Sequence, residues 1–161
     1  MNEETGFLLT MESLDIKGKC ELHFYGSGRL GPFKIVYNSH KPLFFINRSV
    51  SPGLTSKYER RELDLNDFKD NPVDGLYFTS LDSFFKGKRE LQDKHITLFE
   101  SDIRAEDRFL MERHINGSVH IKGESYKQGS LNVFINPVIS RCDYRPPRLK
   151  WLSLDIETGT D

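Results

Sequence analysis

The segment GPFKIVYN sets Phe33, Ile35 and Tyr37 two residues apart, with Gly31 and Pro32 in front and Asn38 behind. A two-residue period puts those side chains on one face of an extended strand, whereas a helix would scatter them. The same pattern recurs through the first half of the chain. GFLLTMESLDI and GKCELHFYG flank Lys17-Gly18, and PLFFINR follows as a fourth strand. Short strands joined by glycine-rich turns predict a meander or small barrel.

SPGLTS reads as a loop, and RRELDLNDF with VDGLYFTS predicts a further antiparallel pair. The pattern then changes. SLDSFFKGKRELQDKH opens on Ser80 as a helix cap and spaces Leu81, Phe84, Phe85 and Leu91 nearly helically, although Gly87 weakens it. After the short strand ITLFES, RAEDRFLMERHI predicts the strongest helix, with Ala105, Phe109, Met111 and Ile115 inward. SVHIKGESY and SLNVFINPVI resume strand character around a KQGS turn, and two prolines make RCDYRPPRLK an extended connector. The expectation is an α+β fold, mainly of antiparallel strands, in two small parts. A barrel-like meander comes first, then a sheet with two helices.

A length of 161 residues fits one domain, or one domain and the first strand of another. Twelve Phe residues can furnish a core, while 23 Lys and Arg against 24 Asp and Glu leave a net charge of -1. A dedicated nucleic-acid-binding module is normally clearly basic, so only a local basic stripe stays open. Cys20 and Cys142 lie far apart, which predicts free thiols in a reducing cytoplasm rather than a disulfide or a zinc site. The acidic start carries no secretory signal pattern. No stretch approaches the roughly 20 apolar residues of a membrane span, so no membrane partner is expected.

GSGRLG at 26–31 spells G-x-G-x-x-G, but Pro32 and the strand FKIVY follow it. A dinucleotide loop must open a helix there, so the motif predicts a hairpin turn. His23, His40, His95, His114 and His120 fall into no metal-ligand spacing. The closing LKWLSLDIETGTD is different. Leu152, Leu154 and Ile156 alternate with Ser153, Asp155 and Glu157, so a strand here would place two carboxylates side by side. Such a pair can hold one divalent cation or bridge two. Taken alone, a D-x-E is also a common exposed pair.

Its surroundings add to it. DYRPPRLKWLSLDIETG resembles the junction between the amino-terminal domain and the 3'-5' exonuclease domain of bacterial family B DNA polymerases. ITLFESDIRAEDRFLMERHI resembles the block that closes the amino-terminal domain throughout that family, and GFLLT and PVDGLYFTS also fit. The resemblance implies an amino-terminal domain over residues 1–148 and the start of an incomplete, RNase H-like exonuclease domain over 149–161. It implies that Asp155 and Glu157 are catalytic, metal-binding carboxylates of the complete enzyme, with Mg²⁺ as its cofactor. The later exonuclease motifs and the palm motifs do not occur in this sequence. The chain is therefore expected to be an inactive fragment of a polymerase that proofreads and serves DNA replication and repair in a bacterial cytoplasm.

In that enzyme the domain would be structural, lining the template path and packing on the exonuclease and palm, with a sliding clamp engaged through parts absent here. Arg141, Arg145, Arg148 and Lys150 are the candidate phosphate contacts and Tyr144 a candidate stacking partner. Given the near-zero net charge, a structural linker docked on the domain surface is the preferred reading of the same residues. Two alternatives stay open: a small free-standing module for single-stranded nucleic acid, and a complete small nuclease built on Asp155 and Glu157.

Overall fold

The computed structural model describes residues 2–150 and 152–156. β1 (Asn2–Ile16) turns through Lys17 and Gly18, both at positive φ, into β2 (Lys19–Gly28), and β3 (Gly31–His40) completes a meander. Then come β4 (Leu43–Asn47), β5 (Tyr58–Asn66), β6 (Pro72–Phe78), α1 (Leu81–Asp93), β7 (Leu98–Phe99) and α2 (Ala105–Met111). β8 (Ser118–Gly123), β9 (Ser125–Gln128), β10 (Leu131–Ile135) and β11 (Val138–Arg141) follow. One sheet runs β11-β8-β1-β2-β3-β10-β9 and the other β5-β6-β4-β7. Every pairing is antiparallel except that of β3 with β10. The fold is mostly β.

The two parts are not consecutive in sequence. The four-stranded sheet is inserted between β3 and β8, and the last four strands return to the first sheet. PLFFINR is therefore not the fourth strand of the opening meander; as β4 it begins the second sheet. Its alternation explains the choice, because Phe44 and Ile46 join Leu76, Phe78, Phe84 and Leu91 in a core beneath α1. The first sheet curls over Leu22, Phe24, Phe33, Ile35, Val119 and Ile121, with Phe109 and Leu110 of α2 closing that core. Each such side chain contributes about 1.5–3 kcal/mol by leaving water.

α1 is the longer helix and the better capped one. Ser80 Oγ accepts from the Ser83 amide at 3.1 Å, and the Asp15 carboxylate accepts from the Leu81 and Asp82 amides at 2.7 and 2.9 Å. Asp15 lies on β1, so the first sheet fixes the helix of the second. α2, expected to be the stronger, has only seven residues and no side-chain cap, and it ends before His114 at φ 54°. Met111, expected inward, is 59% exposed. SLNVFINPVI is two strands, since Asn136 at φ 47° and Pro137 break the ladder between β10 and β11. Residues 152–156 form no strand, and Leu152, Leu154 and Ile156 are at least 80% exposed. An apolar strand face needs a sheet to join and a surface to cover it, and none of the described residues supplies either.

Candidate nucleic-acid interface

β11 delivers Arg141 to the surface, and residues 142–150 continue without regular structure. Ser118 Oγ at the start of β8 donates to the Tyr144 carbonyl at 2.7 Å and pins the connector to the first sheet. Arg145, Arg148 and Lys150 are exposed, while Tyr144 is half-buried, which limits its ring as a stacking platform. Sequence reasoning missed a fifth cation. Burial and then Asp143 push the Cys142 thiol above its usual range, and the charge of Arg29 at the β2–β3 turn opposes them. Arg29 thus stands near the connector through folding alone, and no spacing in the sequence signals it. A small cavity of about 140 Å³ between Asn116, Ser118 and residues 141–143 adjoins these groups.

Asp155 is exposed on the extended segment after the connector, and Glu157 lies outside the described residues. Among the described residues no group of three or more His, Cys, Asp or Glu side chains is placed to hold a metal ion.

The GSGRLG turn does bind an anion, but it is the chain's own. Glu4, 3% exposed on β1, accepts from the Arg29 amide at 2.9 Å and the Leu30 amide at 3.2 Å. A Cβ on Gly28 would meet Glu4 Oε1 at 2.6 Å, and one on Gly6 would meet the Phe33 ring at 2.5 Å. These glycines serve close packing, as the strand context of the motif implies.

A cleft of about 340 Å³ opens between α1, α2 and the end of β3. Three buried polar atoms facing this region have no partner: His40 Nε2, Glu106 Oε2 and Arg108 Nε. Burial, then the charge of Arg113, pushes His40 down to about 4, so its ring is neutral at neutral pH. Arg108 also donates to Glu100 at 2.5 Å, and Lys88 donates to the Ser101 carbonyl at 2.9 Å. Unpaired donors and acceptors beside one another suit a small polar group. The residues come from separate segments, so no sequence motif announces the cleft.

No family model matches the chain. It is 30% identical to DNA polymerase II of Escherichia coli (strain K12), over 96% of its own length and 20% of that protein's. Its fold matches the family B DNA polymerase from the hyperthermophilic archaeon Pyrobaculum calidifontis with a TM-score of 0.68, over 90% of the chain and 21% of that structure. At 15% identity the second match is a likeness of fold alone. The chain spans about a fifth of either protein. Over nearly its whole length the chain is thus similar in sequence to a stretch of DNA polymerase II, and in fold to a stretch of a family B DNA polymerase.

Proposed function

We propose that this chain is the amino-terminal domain, with the first residues of the exonuclease domain, of a DNA-directed DNA polymerase of the DNA polymerase II kind. The observation that carries the reading is the sequence match to that enzyme over 96% of the chain. The parent enzyme would copy a DNA template, proofread with a 3'-5' exonuclease, and act in replication and repair in the bacterial cytoplasm. Among the described residues no helix is long and apolar enough to cross a membrane. Asp155 and Glu157 would hold Mg²⁺ only together with carboxylates beyond this chain, where the ion supplies charge stabilisation for phosphodiester hydrolysis. The contribution of the domain is structural: it packs on the exonuclease and palm and borders the template strand, with Arg29, Arg141, Arg145, Arg148 and Lys150 nearest in kind to phosphate-binding groups.

A free-standing single-strand binder would need exposed aromatic rings in a basic groove. The most exposed ring among the described residues, Phe68, instead lies in a stretch of sequence rich in carboxylates, and the net charge is -1. The test is primer extension with four nucleotides and Mg²⁺. The protein from the complete reading frame should extend a primed template, and the 161-residue chain should not. Extension by the short chain after repurification would overturn the reading.

A further inference from the structure

The tip of the β5–β6 hairpin carries Phe68 with its ring wholly in solvent (107% exposed), and Leu65 beside it is 51% exposed. The tip is nevertheless tied by its own hydrogen bonds. Asp67 accepts from the amides of Lys69 and Asn71 at 2.8 and 2.9 Å and from the Asn71 side chain, and its own amide donates to the Asn71 carbonyl. Asp70 turns the chain at φ 60°. Phe68 divides two open clefts of about 500 and 410 Å³, the first reaching Val50 and Ile96 and the second Phe45 and Leu98. Asp67 and Asp70 flank it with Lys69, and Glu62 and Asp64 lie further back on β5, near enough to Arg48 to raise its pKa. A pre-ordered aromatic knob between apolar clefts is what an interface anchor requires, because little ordering entropy is lost on docking. The carboxylates repel a phosphate backbone and anionic lipid alike. They complement a protein surface whose apolar socket is rimmed by Lys and Arg.

We propose that this tip docks into such a socket on the part of the polymerase outside this chain, which is four fifths of the matched relative since the chain spans 20% of it. The inference rests on the polymerase reading above and adds the contact by which the domain is held. The complete protein carrying a benzophenone amino acid in place of Phe68 would be irradiated and its crosslinks mapped by mass spectrometry, with primer extension read on the same sample. Crosslinks should fall beyond residue 161, on a segment with apolar residues flanked by Lys or Arg. Changing Asp64→Lys and Asp70→Lys together should lower their yield several-fold. Crosslinks only within residues 1–161, only between two copies, or none at all would overturn the docking proposal. Because extension is read separately, an active polymerase without the crosslink refutes docking alone, and an inactive protein refutes the polymerase reading.

Discussion

The Glu4 carboxyl is buried and accepts from the backbone amides of Thr5, Arg29 and Leu30. Replacing it with Ala removes this acceptor, although the Arg29 amide keeps the Thr5 carbonyl at 3.1 Å, and should cost about 1–3 kcal/mol. Glu4→Gln keeps one acceptor oxygen and should lose less, as urea unfolding of the three proteins would show. Two other residues contribute to the response to acid. Burial pushes Asp74 up, but hydrogen bonds and charges from Arg48 and Arg60, each at 2.7 Å, outweigh it and hold its carboxyl below the usual range. Its contribution is complete above the unfolded carboxylate value of about 3.9 and is lost as pH falls through the lower folded value. His40 acts in a separate window. Its folded value of about 4 lies below the ordinary 6.5, so between them the unfolded chain binds a proton that the folded chain refuses. Stability should therefore fall as pH drops from about 6.5 to about 4, and His40→Gln should flatten that slope in urea midpoints taken at pH 5 and 7. An unchanged slope would assign the effect to another group.

At the scale of elements, α1 shows both what patterning reveals and what it hides. Ser80 as its cap and Phe84 and Leu91 as its buried face were legible, because capping chemistry and helical spacing are local. The role of Gly87 was not. It weakens the helix by propensity, yet its Cβ position is taken by the Phe78 ring, 2.7 Å away on the neighbouring sheet. Gly87→Ala should gain about 1 kcal/mol of helix propensity and lose about 1–3 kcal/mol to overpacking. Net destabilisation in thermal unfolding is expected, and a more stable variant would show that Phe78 moves aside freely. Asp15 was equally hidden: it is an ordinary strand residue until folding brings it to the first amides of α1. The length of α2 was overread because RAEDRFLMERHI has the right composition, while its missing cap and the turn at His114 depend on the chain around it.

For the whole molecule, individual strands were readable from period-two alternation, but their partners were not. The parallel pairing of β10 with β3 and the insertion of one sheet into the other join segments that share no local signal. The candidate site divides in the same way. The connector cations were visible in RCDYRPPRLK, whereas Arg29 and the cleft at His40 come together only in three dimensions. Asp155 and Glu157 were legible as a chemical pair, whereas among the described residues no group of three or more such side chains is placed to hold a metal ion. The most direct measurement uses the protein from the complete reading frame, with and without Asp155→Ala and Glu157→Ala together, on a 5'-labelled single strand in Mg²⁺ without nucleotides. The unaltered protein should shorten the strand from its 3' end. The double variant should leave the strand intact and still extend a primed template as fast as the unaltered enzyme. Degradation by the double variant at an undiminished rate would contradict the assignment of this chain's last residues to a proofreading site.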